Sequence, residues 1–219
     1  MRHVKLSQVL VLGLALAGCA GGAAPVPTPT PVPTQTPTPG PTPPPLTVNL
    51  TEVPGGGRVC SDNTVNTGPA FFRVGVEPVC WPPGPDVSRA FVAFFLRPVP
   101  LGATVLSATL TAARAQIGAP YAPPGQQLLV EATPWVVSGG GLDPGDFSAA
   151  NLPGTAPVAG ASGPGTSLVA DVAPLVQAYV NVGAATVDLR LRLARELPFI
   201  LPNDLDQLGM WVLQVTFRP

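Results

Sequence analysis

The sequence predicts an all-β domain, a sandwich or barrel of antiparallel strands with one short helix, and three observations carry that prediction. Several stretches alternate apolar and polar residues with a period of two, as half-buried strands do. Gly and Pro clusters separate them, at 55–57, 82–85, 123–125, 139–141 and 163–165. Helical periodicity is confined to one segment.

The elements follow in chain order. "FFRVGVE" (71–77) is a first strand. "RAFVAFFL" (89–96) is apolar on both faces, so it belongs in the middle of a sheet with both sides covered, by a loop or by the helix. "TVLSATLTAAR" (104–114) sets Leu106, Ala108, Leu110 and Ala112 on one side. "QQLLVEA" (126–132) adds a further strand. In "DVAPLVQAYV" (171–180), Asp171 stands where a cap belongs, and Leu175, Val176, Tyr179 and Val180 share one helical face. "ATVDLRLRLA" (185–194) alternates most cleanly. Val187, Leu189, Leu191 and Leu193 point inward, while Thr186, Asp188, Arg190 and Arg192 form a face expected to be wet. "GMWVLQVTF" (209–217) closes the chain. Two one-sided strands cannot hide their apolar faces alone, so sheet packs on sheet, and the core is expected to rest on residues 90–112 and 187–217.

Several of these stretches also resemble a known group. "SRAFVAFFLRPVPLGATVLSATL" (88–110) is similar to the marker segment of bacterial surface domains known as DNRLRE-type or carbohydrate-binding-module-like jelly rolls. "LVADVAPLVQAYVNVG" (168–183) resembles the family's later segment, Trp135 its tryptophan after the middle strand, and "DNTVNTG" (62–68) its early Asn-x-Gly region. The DNRLRE string itself is missing, and "SGGGLDPGD" replaces a second tryptophan. The resemblance implies an antiparallel β-sandwich of jelly-roll type over most of residues 48–219, in a surface protein that binds carbohydrate or an envelope partner.

The N-terminal region gives the location. Arg2, His3 and Lys5 precede a short apolar run, Leu6 to Ala17, well under the roughly twenty residues a spanning helix needs. Charged start, short apolar core and small-residue exit describe a signal peptide. Leu16-Ala17-Gly18-Cys19 resembles the lipobox of bacterial lipoproteins, which implies that residues 1–18 are removed and that Cys19 carries the lipid. The partner implied is a membrane, reached through that lipid, and the location is the bacterial cell envelope. Residues 19–45 form the lipidated N-terminus and a Pro/Thr-rich linker, with proline at 11 of the 21 positions from 25 to 45. Proline fixes φ and donates no backbone hydrogen bond, so this stretch is disordered or polyproline II, at most about 65 Å long. A stalk and a simple leader both fit it. The domain proper is residues 46–219.

Composition excludes several functions. Beyond Lys5 there are nine arginines against twelve carboxylates, which is no footprint for nucleic acid. No histidine follows His3, so Ser-His-Asp and Cys-His catalysis and a His-containing zinc site are ruled out. Cys60 and Cys80 form an even pair in an exported chain, which reads as a disulfide, with two buried thiols as the alternative. The protein is expected not to be an enzyme. Only a carboxylate-based glycoside hydrolase remains, with Glu131 or Asp188 on strands. No cofactor is implied beyond calcium. Asn203, Asp204 and Asp206 lie close together, and Asp143 and Asp146 form a second acidic pair; oxygen-rich loops suit calcium, and turn chemistry explains the same residues. For glycan binding the candidates are Trp81 and Tyr121 in proline-rich loops and the Arg190–Arg192 stripe, which the reading as a solvated strand face also explains. The expectation is a lipid-anchored envelope protein displaying a non-catalytic domain that binds polysaccharide or an envelope partner; a purely structural lipoprotein is the alternative.

Overall fold

The computed structural model describes residues 40, 42–68, 71–77, 86–116, 127–135, 141–161, 167–194, 196 and 205–219. Every strand pairing in it is antiparallel. The order is β1 (Leu46–Leu50), β2 (Gly57–Cys60), β3 (Val65–Thr67), β4 (Phe71–Glu77), β5 (Asp86–Phe95), β6 (Thr104–Gln116), β7 (Leu128–Ala132), a 3-10 turn (Pro144–Ser148), β8 (Val158–Ala161), β9 (Leu168–Asp171), α1 (Ala173–Asn181), β10 (Thr186–Leu193) and β11 (Leu205–Arg218).

Eight strands close a hydrogen-bonded ring. Its order is β11–β6–β9–β8–β7–β10–β5–β4 and back to β11, with β1 outside on β11 and β2–β3 outside on β5. The expectation of an all-β antiparallel domain therefore holds, as a closed ring with added strands. The ring has a seam at β5. Arg58 and Gly57 of β2 pair with Ala90 and Phe91 on one edge, so β10, which pairs with Ala90 through Phe95, occupies the other. Ser88 pairs with Cys60 of β2 and with Gly75 of β4. β4 and β10 thus lie end to end along the same edge of β5.

Alternation decides what fills the ring. Ala90, Val92 and Phe94 of β5, Leu110 and Ala112 of β6, Val187, Leu189 and Leu191 of β10, and Leu213 and Val215 of β11 belong to one buried cluster. α1 contributes Leu175, Val176, Tyr179 and Val180 to it, the face its periodicity marks. Asp171 does meet the helix start: its carboxylate accepts from the Ala173 N–H at 3.0 Å, although Val172 holds the N-cap position. Residues 90–112 and 187–217 carry much of the core as expected, together with Leu128 and Val130 of β7, Leu168 of β9 and the face of α1. Leu106, expected on the core side of β6, is instead 44 % exposed, beside the register shift between Thr216 and Phe217.

The both-sides-apolar strand behaves as expected. β5 is flanked by β10 and β2, and its outward residues Phe91 and Ala93 enter a second cluster with Val59, Trp135 and Leu142, joined by Phe147. The cover is the segment around the 3-10 turn. Tight geometry permits this packing: a Cβ on Gly57 would lie 2.2 Å from the Asn66 carbonyl oxygen and 2.9 Å from the Thr67 Cα.

One expectation is corrected here. Thr186, Asp188 and Arg190 were expected on a wet face of β10, yet every residue of that strand but Arg192 is buried. The same cover that seals β5 extends over β10, so alternation correctly sorted the two faces but could not tell that both were covered.

Candidate functional site

Four acidic or basic residues singled out from sequence come together beneath that cover. β7 and β10 pair Glu131 with Arg190, and the neighbouring outward positions on β10 hold Asp188 and Arg192. Arg190 Nε and Nη2 lie 2.9 and 2.7 Å from Glu131 Oε2, and Arg192 Nε lies 2.8 Å from Oε1. One carboxylate thus divides its two oxygens between two guanidiniums. Arg190 also clamps the cover. It donates to the carbonyls of Asp146, Phe147 and Ala149 at 3.3, 3.2 and 2.8 Å and to Asn151 Oδ1 at 3.0 Å. Guanidinium suits this role because its donors spread in a fixed planar fork.

A second arginine repeats the arrangement. Arg89 of β5 pairs with Glu196, Nε to Oε1 at 3.0 Å, donates to the Phe147 carbonyl, and lies 4.1 Å over the Phe147 ring. The turn itself is fixed by reciprocal capping: Asp143 Oδ1 accepts from the Gly145 N–H at 2.7 Å, and Asp146 Oδ2 accepts from the Asp143 N–H at 2.8 Å. Asp143 and Asp146 are therefore engaged in turn chemistry.

Electrostatics follow from this geometry. Burial alone pushes the Glu131 carboxyl up, but hydrogen bonds and charge from Arg190 and Arg192 outweigh it and hold the group below the usual carboxylate range. Asp146 is pushed up, chiefly by burial. Tyr179, which donates to the Asp188 carbonyl at 2.7 Å, is also pushed up, mainly by burial. An ionised, doubly paired Glu131 is a poor proton donor, and its partners are directed at the protein itself.

The other sequence candidates are not brought to this place. Cys19, Cys80, Trp81, Tyr121, Asn203 and Asp204 lie outside the described residues. Cys60 is buried at the end of β2. Asp206 lies on β11, where its backbone pairs with Val74 and Gln116. Trp135 and Trp211 are core residues, Trp135 against Phe91 and Trp211 stacked on Phe72 at 5.9 Å. Among the described residues no group of three or more His, Cys, Asp or Glu is placed to hold a metal.

Sequence reasoning missed a second surface. The outward side of β1, β11, β6 and β9 is open. Its registers set Thr47, Thr216 and Ser107 in one row and Asn49, Gln214, Thr109 and Asp171 in the next; Val212, Thr111 and Val169 make a third. Thr47 Oγ1 lies 2.9 Å from Thr216 Oγ1, and Gln214 Nε2 donates to Asn49 Oδ1 at 3.3 Å. Hydroxyls, amides and valines make up this face, with Asp171 as its one charge in those rows. The signal for it was the absence of charge at alternate positions of 104–113 and 210–216.

No model of a known protein family matches the chain, and no curated protein matches it.

Proposed function

We propose that the chain is a bacterial envelope lipoprotein, anchored through Cys19, whose non-catalytic β domain binds a neutral polysaccharide on the open face of β1, β11, β6 and β9. The observation that carries this reading is the contrast between the two outer faces of the domain. Charge on β10 and β7 is tied into internal pairs under the 141–152 segment. The opposite face presents rows of neutral donors and acceptors, with Asp171 as their one charge, which suit the hydroxyls of a glycan chain. The lipobox and the Pro/Thr-rich linker supply the envelope location, with the chain exported and held by its lipid. A disulfide between Cys60 and Cys80 fits an exported domain, and a calcium ion is not needed for this reading.

The fold proposal is finer than an antiparallel ring. We take the seam at β5, where β4 and β10 share one edge, as the fold line of a flattened jelly roll, which is the sandwich the resemblance to DNRLRE-type domains implies. Against a carboxylate hydrolase stands Glu131, held ionised between two arginines and so unsuited to act as the acid of an acid/base pair.

A glycan array probed with the full chain in detergent tests the function. Signal on neutral glycans that falls on Gln214→Ala or Thr109→Ala supports it. A blank array favours the purely structural lipoprotein, and cleavage of an arrayed glycan favours the hydrolase.

A further inference from the structure

The loop between β5 and β6 ends in a tight turn, Pro100 to Ala103, closed by the Ala103 N–H donating to the Pro100 carbonyl at 3.1 Å. Gly102 supplies the φ of +81° that its third position requires. Leu101 stands at the second position and is 76 % exposed. Beside it, α1 ends at Asn181 and is followed by Val182, its C-cap and 64 % exposed, and by Gly183, φ +67°. These are two of the most exposed large apolar side chains among the described residues. They belong to one place: a Cβ on Gly183 would lie 3.4 Å from Leu101 Cδ1, and a shallow cleft of about 240 Å³ runs between the two loops, with Arg97 on its wall.

This end of the domain is also where the chain enters it. Leu46, half exposed, pairs with Phe217, and the adjoining Arg218 pairs with Thr104, the first residue after the Leu101 turn. Gln177 ties α1 to the same point, its Oε1 accepting from the Val105 N–H at 2.7 Å and its Nε2 donating to the Ala103 carbonyl at 3.1 Å. From residue 87 to 130 and from 172 to 187 the sequence holds no Asp or Glu; Arg97 and Arg218 sit at this end, with Glu52, bridged to Phe94, as the carboxylate beside the end of β5.

We propose that this end of the domain docks on an anionic lipid bilayer, with Leu101 and Val182 entering the interface and Arg97 and Arg218 meeting lipid phosphates. The proposal rests on the lipoprotein reading of Cys19. Two apolar side chains and two arginines bind a membrane weakly on their own. A tether that starts in the same bilayer makes the contact intramolecular, at an effective concentration in the millimolar range. The Pro/Thr-rich segment then works as a tether, not as a stalk. Docked this way, the open face of β1, β11, β6 and β9 stands upright beside the membrane and remains accessible.

The test uses the full lipidated chain in vesicles of phosphatidylethanolamine and phosphatidylglycerol, some with brominated acyl chains. Leu101→Trp and Val182→Trp place reporters at exposed positions, and Val169→Trp places one on β9, level with Thr111 and about 24 Å along β6 from Thr104. Bromine should quench the first two at least twofold more than the third, and Arg97→Gln should weaken that quenching. Equal quenching at all three sites, or none at 101 and 182 while the protein floats with the vesicles, overturns the docking and leaves the anchor intact. If the unsubstituted chain does not float with the vesicles, the lipoprotein reading falls and the docking with it.

Discussion

Arg190 shows how far a residue's role depends on what lies above it. Its place on β10 among alternating residues suggests a solvated side chain that can be replaced at little cost. In the fold it is buried, pairs with Glu131, and holds three carbonyls of the covering segment. Arg190→Ala is expected to lower stability by about 3–5 kcal/mol, as when a buried pair is broken from one side. Leu189→Ala falls in the same range, about 2–5 kcal/mol. Arg192→Ala should cost only about 1 kcal/mol, since its side chain is 23 % exposed. Urea midpoints of the three variants check the ranking; a negligible shift for Arg190→Ala means that the segment is not clamped as described.

The acids give a pH signature with opposite signs. Glu131 is held below its ordinary 4.5 in the fold, so the folded state favours its ionised form. That stabilisation is complete above about pH 4.5 and is lost as pH falls through the lowered folded value. Asp146 is raised above 3.8, so its ionised form opposes folding at neutral pH and that cost disappears on acidification. Stability followed from pH 7 to pH 3 should therefore decline less steeply in Glu131→Gln than in the unsubstituted chain; identical slopes would contradict the ion-pair account.

At the scale of elements, what the sequence revealed depended on length. β5, β6, β10 and β11 are long and were legible as strands; the period-two pattern marked the core side of β10 and, except for Leu106, which is 44 % exposed, that of β6. β1, β2, β3, β8 and β9 run three to five residues, too short for periodicity to show, and their partners rather than their composition make them strands. The charged cluster was half legible. Glu131, Asp188, Arg190 and Arg192 were recognisable as outward polar residues, but their burial comes from backbone carbonyls of residues 146–149, which no side-chain identity announces. The available hint was Leu142 and Phe147 flanking the capping residues of "LDPGDF", apolar side chains in a turn that need a core to enter. β2 and β3 supply one more check. Gly57→Ala places a methyl against the β3 backbone, where no flexible side chain can yield, and overpacking of this kind costs about 1–3 kcal/mol. A thermal midpoint unchanged by that substitution would mean that β3 does not lie against β2 as described.

For the whole molecule, the proposed function joins a lipid anchor and a tether to a closed β domain with one sealed and one open outer face. The anchor is tested by processing. The native protein should partition into detergent, and Cys19→Ser should be released or remain uncleaved; a serine variant that is cleaved and lipid-anchored normally contradicts it. On the proposed reading, the charge of β7 and β10 is committed internally and the neutral face takes the ligand; the location of that ligand is the central claim. It is tested most directly by mapping amide chemical shifts while titrating a glycan found on the array. The account predicts perturbations clustered at Asn49, Thr109, Thr111, Gln214 and Thr216. Perturbations clustered at Glu131, Asp146, Arg190 and Arg192 would contradict it, because the ligand would then have opened the face described here as sealed.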